Sequence, residues 1–404
     1  SLVGSEMCIR DRVYPEVAGW ADELTAIRHE IHQHPEPGLE TAETAARIVR
    51  ILKGWGLTDI DDQLVRNGVV VRIEGNRPGA VIGFRADIDA LKMDDQSVNP
   101  WKSLKPGLAH TCGHDGHQTW LMGALRYLHL HRDFPGTVIG IFQPAEEIAE
   151  GAKAVVASGV FEKYGIQEIL GAHDEPALPK GVFGMKSGPL QASSDNFFIK
   201  VIGKGTHGGR PHQGLDPIPV GCQIVSDVQT IISRRINPAD PAVISICSLN
   251  AGKYELTNVV PGVLTMSGTV RTFNPEVRAL IKEKLPKTAK GIAEANDLEA
   301  EVEYRELIPP VINDPKLTAA CVETATVLFG PDHVKTDLQL IMGAEDFSLY
   351  QQKVPGLMMR VGIRDDNHTA TLHNPTFDFN DEVLPAAVTL FAALAKSRLE
   401  ALSK

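Results

Sequence analysis

Cysteine is scarce in this 404-residue chain: there are five, an odd number, scattered far apart. That excludes a disulfide framework and leads us to expect a reducing, cytoplasmic setting. Long apolar runs are missing too. Stretches such as AVISI fall far short of the roughly 20 residues that a membrane-crossing helix needs, so no membrane partner is expected, and no apolar segment with a small-residue cleavage site opens the chain. Basic clusters are equally absent. With 40 Lys and Arg against 51 Asp and Glu, the formal net charge is -11, which argues against nucleic acid as a partner, because phosphate binding needs a basic surface. No repeat at periods of 20 to 50 residues and no low-complexity tract is found. The opening SLVGSEMCIRDR lacks periodicity and resembles a translated adapter remnant, so residues 1–12, with Cys8, are set aside.

The whole chain is 43% apolar and 23% charged, an ordinary globular composition, and too long for one core. Val17, Trp20, Leu24, Ile27 and Ile31 recur at three or four residues and predict a helix from Pro15 to about His34; a second is expected over 41–55. GVVVRIEG and AVIGFRAD read as strands. A helix then runs to about Arg132, followed by the strand TVIGIFQ, the helix AKAVVASGVF and the strand EILGAHDEP. Apolar strands alternating with helices predict a helix-covered sheet, with ligands beyond the carboxyl ends of its strands. From about Ser187 the order becomes β-α-β-β-α-β, that of a ferredoxin-like α+β domain. The expected fold class is therefore α/β: a helix-covered mixed-sheet domain in two segments, 13–190 and 306–404, with an α+β domain inserted over 191–305.

AHTCGHDGHQ, residues 109–118, concentrates the chemistry. Cys112 and His114 can face one site where a loop enters a helix, and a thiolate beside an imidazole suits zinc or another borderline divalent ion. A buried cysteine next to a helix-capping Asp115 explains the same letters. Glu146 and Glu147 follow an apolar strand; they are either a solvated pair or a metal ligand beside a base that takes a proton from a metal-acidified water. His173 ends the next predicted strand, and His373 precedes the last helix. Together Cys112, His114, Glu147, His173 and His373 supply five ligands, more than one catalytic ion commonly takes, so a two-ion centre is the sharper reading.

A competing pattern is GKGTHG, a G-x-G-x-x-G match at Gly203, Gly205 and Gly208. A dinucleotide site needs a helix to begin at once, and Pro211, Gly214 and Pro217 intervene. His207 in that loop could instead present an imidazole to a developing oxyanion. Arg271, helped by Asn258, could grip a carboxylate; alternatively it is an exposed strand arginine.

Taken in order, HQHPEPGLE, FRADIDAL, HTCGHDGH, FQPAEE, GAHDEPALPKG, GKGTHGGRPHQGLDPI, TNVVP, GTVRTF, MGAEDFSLYQQKVPG and LHNPTFDF resemble the amidohydrolase branch of the aminoacylase and carboxypeptidase metallopeptidases, from about Trp20 to Leu394. The branch includes hippurate hydrolases, N-acetyl-diaminopimelate deacetylases and plant auxin-conjugate hydrolases. The resemblance implies two divalent ions per subunit, Zn, Mn, Co or Ni, held by Cys112, His114, Glu147, His173 and His373. It implies Glu146 as general base, His207 as a catalytic histidine acting in its own or the partner subunit, and Asn258 and Arg271 as substrate-carboxylate contacts. Asp87, and with it Asp115, would support the ligands, and Arg85 stands where related peptidases carry a metal-binding histidine. The inserted domain would be a lid through which a homodimer forms. The implied activity is hydrolysis of an N-acyl amino acid. Asp174 and Glu175 depart from an apolar pattern and could pair with a free amine, which keeps a dipeptidase on the same centre as an alternative; a non-catalytic metal-stabilised binding protein is another.

Overall fold

The computed structural model describes residues 12–404; the expected adapter remnant lies outside them except for Arg12. The chain forms two compact units. One contains the chain up to Gly188 with Ile312–Gln339 and Asp346–Lys404, and the other contains Pro189–Val311 with Leu340–Glu345.

The first unit is built on a mixed eight-stranded sheet. Its order is Ile60–Asp61, Val69–Glu74, Pro135–Gln143, Arg77–Asp87, Glu168–Pro179, Gly356–Arg364, Phe183–Gly184 and Val334–Lys335. Four central strands, from Pro135–Gln143 to Gly356–Arg364, run parallel, and all but one residue of Gly356–Arg364 is buried. That explains their near-continuous apolar sequences, which parallel strands covered on both faces require. The helix His114–Leu130 is likewise buried over its first twelve residues, His114 to Leu125, and so shows no polar face. It packs against Leu384–Leu402; at Gly116 a Cβ would lie 2.3 Å from the Phe379 ring, so only glycine permits that approach.

Three expected elements differ in detail. The first helix breaks into Pro15–Ala18 and Ala21–Gln33 around Gly19. AKAVVASGVF is also two helices, Gly151–Ala157 and Val160–Tyr164, separated where Gly159 turns left-handed at φ 75°. The strand carrying His173 runs on to Pro179 rather than stopping at that residue.

The second unit has an antiparallel sheet ordered Ala242–Ala251, Val263–Thr272, Ser194–Ile202, Glu299–Ile308. Two helices, Pro217–Arg235 and Pro275–Glu294, bury Val220, Ile224, Val228 and Ile231, and Val277, Ile281, Leu285 and Ala289, into a separate core with Phe197, Ile199 and Val201. Asp216 and Asn274 cap these helices by accepting from Ile218 N and Glu276 N, each worth about 1 kcal/mol. The glycine-rich loop leads into a short 3-10 turn, Pro211–Gln213, and the helix begins only at Pro217, the interruption that argues against dinucleotide binding. Among the described residues no helix is long and apolar enough to cross a membrane, and Cys112, Cys222, Cys247 and Cys321 are free.

Beneath the first unit's central helix lies a buried polar group. His32 sits between Asp115, at 2.8 Å, and Asp95, at 3.2 Å, and Arg28 contacts Asp115 at 3.3 Å and Asp381 at 2.7 Å. Burial disfavours the His32 imidazolium, but Asp115 and then Asp95 outweigh it and raise its pKa to about 9. A raised folded-state pKa stabilises fully below the unfolded value and is lost as pH rises through the folded one. The stability difference between the wild type and His32→Gln should therefore be largest below pH 6.5 and shrink as pH passes about 9; thermal melts of both proteins across that window check it, and a constant difference contradicts it.

Candidate metal centre

The parallel register explains how distant residues meet. Asp87 pairs with Gln143, and Arg85 pairs with Gly171, so two residues further on Asp87 stands level with His173. His173 thus reaches the carboxyl edge of its neighbour from inside its own longer strand. Gln143 leads into Pro144 and Ala145, whose φ of 57° is in the left-handed region, and this turn presents Glu146 and Glu147. Asp89 holds the turn, its two oxygens accepting from Glu146 N at 3.1 Å and Glu147 N at 3.2 Å. His373 also has positive φ, 59°, and its N–H donates to Thr111 O at 2.8 Å, which sets it beside Cys112. Backbone strain of this kind concentrates at functional sites.

All five expected ligands come together. Cys112 Sγ lies 3.5 Å from His173 Nε2 and 3.2 Å from His373 Nε2. Glu147 Oε1 is 3.3 Å from His373 Nε2 and 3.8 Å from His114 Nε2. Ligand atoms of Cys112, His114 and His173 fall within 4.8 Å of one another, as do those of Cys112, Glu147 and His373, and those of His114, Glu146 and Glu147. Two donor groups therefore share one sulfur.

The imidazoles of His114 and His173 are each fixed through Nδ1. His114 Nδ1 faces Asp89 O at 2.9 Å and His173 Nδ1 faces Asp174 O at 2.7 Å, so in each ring Nδ1 carries a proton and Nε2 is the nitrogen left to the donor group. His114 Nε2 and Glu147 Oε1 are buried with no hydrogen-bond partner among the described residues, a costly state unless a cation satisfies them. Burial and then the Glu147 charge push the Cys112 thiol well above its ordinary pKa, so its thiolate needs positive charge nearby. For Glu147, burial works against the carboxylate, but His373 and His114 hold its pKa below the usual value. Sulfur, imidazole and carboxylate in one group fit borderline divalent ions.

The surroundings hold residues that the sequence reading passed over. His117 lies between Asp87 and Asp174; burial opposes its protonation, yet Asp87 and Asp174 raise its pKa. Asp89 shares a strand-end alternation with Asp87, and His117 follows His114 by three positions on one helix, spacings that pointed to both. Arg85 is buried and donates to Gln143 at 2.9 Å, Asp87 at 2.7 Å and Asp346 at 3.0 Å. Asp115, expected behind the ligands, instead turns to Arg28 and His32. Asp174 is fully buried, which removes it as a partner for a substrate amine, and Glu175 Oε1 accepts from Ala177 N at 3.0 Å.

In the second unit, Thr206–His207 pairs with Val259–Val260, and Gly208 N donates to Asn258 O at 2.7 Å. The loops bearing His207 and Asn258 are thereby joined, and both residues are exposed. Arg271 is half-buried on Val263–Thr272, donating to Thr269 Oγ1 and to Val270 O.

Sulfur, nitrogen and oxygen donors gather at the carboxyl edge of a helix-covered sheet, buried except for the exposed His373 and the part-buried Glu146 and Glu147, and this α/β site could hold metal ions. Residues 83–397 match the peptidase family M20/M25/M40, and the chain belongs to that family. It is 39% identical over 378 residues to an N-acetylcysteine deacetylase of Bacillus subtilis, covering 93% of this chain and 97% of that one. It is 35% identical to a hippurate hydrolase of Campylobacter jejuni over 96% of this chain and 99% of that one. A solved Bacillus subtilis dinuclear metal-binding peptidase of the M20 family shares the fold with a TM-score of 0.84 and 36% identity, covering 95% of this chain and 99% of that one.

Gly113 closes the centre from below: its φ is +80°, and a Cβ there would lie 2.2 Å from Asp174 Oδ1. Gly113→Ala should cost more than about 1 kcal/mol, from strain and contact together. A thermal melt checks this, and an unchanged midpoint counts against it.

Proposed function

We propose that the protein is a metal-dependent amidohydrolase that cleaves the amide bond of N-acyl amino acids or related small conjugates. The observation that carries this reading is the convergence of Cys112, His114, Glu147, His173 and His373, with Glu146 beside them, in a chain of the M20/M25/M40 family. The deacetylase and hippurate hydrolase names of its relatives supply the substrate class.

Those five residues would hold two divalent ions. Bound ions of this kind acidify water and polarise a carbonyl. Glu146 takes the proton of the attacking water and delivers it to the leaving nitrogen. His207 donates to the carbonyl oxygen as negative charge develops on it. Arg271 and Asn258 orient the substrate carboxylate, a positioning effect rather than a chemical one. The second unit acts as the lid and pairs two copies, a role its open edge strand Ala242–Ala251 suits.

Glu146→Gln should abolish turnover of an N-acetyl amino acid while the protein still binds both ions. Robust turnover by this variant would defeat the assignment of the base. Metal-stripped wild type, reconstituted with Zn, Mn, Co or Ni in turn, should hydrolyse N-acyl amino acids faster than the matching free dipeptides. A preference for the free dipeptides makes it a peptidase.

A further inference from the structure

The motif that holds Cys112 and His114 contains two more histidines, His110 and His117, and the mechanism makes no use of either. His117 is fully buried one turn into the helix that His114 begins. Its Nδ1 lies 2.6 Å from Asp87 Oδ1, and its Nε2 lies 2.9 Å from Asp174 Oδ1 and accepts from Asp174 N at 3.0 Å. Each carboxylate leads on to a different ligand. Asp87 Oδ2 is 3.7 Å from His114 Nε2 and is anchored by Arg85 Nη1 at 2.7 Å. Asp174 Oδ1 is 3.1 Å from His173 Nδ1. The His117 ring stacks on Trp120 at 4.6 Å and meets the His173 ring edge-on at 4.5 Å, so its plane is set from both sides.

Filling this volume needs only a ring. A buried imidazole between two buried carboxylates carries desolvation costs that an apolar ring of similar size avoids. Its polarity therefore has another consequence: the common arrangement joins one carboxylate to one ligating histidine, whereas here one imidazole is shared by two carboxylates serving two ligands.

We propose that His117 is a positioning residue that couples two of the ligand candidates, fixing Asp87 beside His114 and Asp174 beside His173 so that neither ring is set independently. The inference rests on the two-ion reading above. It is tested by metal binding to full-length, metal-stripped protein, followed by calorimetry and chelator competition with zinc. His117→Phe should weaken divalent-ion binding by about 10- to 100-fold, and His117→Gln, which keeps one polar contact, should recover part of that loss. Unchanged affinity in His117→Phe, or no recovery in His117→Gln, overturns the coupling. Should His117→Phe fail to fold, Asp174→Asn keeps the shape and removes the charge. The same drop is then expected, and an unchanged affinity overturns the proposal. A wild type that binds no divalent ion defeats the functional reading itself, whereas a wild type that binds two ions beside an unaffected His117→Phe defeats this inference alone.

Discussion

Asp87 is a carboxylate at the end of a central strand with no solvent around it, and the rest of the centre is arranged to make that tolerable. A buried charge needs paired and hydrogen-bonded neighbours. Arg85, His114 and His117 are those neighbours, and against the cost of burial they hold the Asp87 pKa well below its usual value. Arg85 must in turn be matched, which it is by Gln143 and Asp346. Tyr350 then donates to Gln143 Oε1 at 2.6 Å. A single buried charge thus ties the strand ends, the central helix and the segment after Asp346 into one network, and the ligand residues are positioned by it.

Most of the first unit's elements were legible because parallel strands buried on both faces have to be apolar throughout, and few other structures produce runs such as TVIGIF. The interrupted helices were not, since Gly19 and Gly159 sit inside stretches whose apolar spacing continues across the break. His173 was mistaken for a strand end because a polar run, His-Asp-Glu-Pro, ordinarily marks one. Here His173 and Asp174 are polar because the neighbouring strand stops at Asp87, leaving the longer strand to face the site rather than an apolar layer.

The five ligand candidates were legible as residue types at strand ends and loop entries, and their convergence follows from register. Their supporting carboxylates were harder to find. Asp115 is adjacent to His114 in sequence, but on a helix neighbouring residues diverge by about a hundred degrees, which turns Asp115 to Arg28 and His32 instead. His117, three positions on, returns to the face of His114. Periodicity, not adjacency, decides which polar residues of a helical motif share a site, and the same rule at period two places Asp89 alongside Asp87 beyond the strand.

Charge balance gives the arrangement its direction. Asp87, Asp89, Asp174 and Glu147 lie within one largely buried group with the Cys112 sulfur, whereas Arg85 divides its charge between Asp87 and Asp346. Histidines can offset the remainder only by taking protons, and a ligating nitrogen cannot be protonated and bound at once. The donor set therefore favours compact divalent charge over monovalent side-chain charge. The same excess of carboxylates would repel an anion from this end of the sheet unless cations intervened.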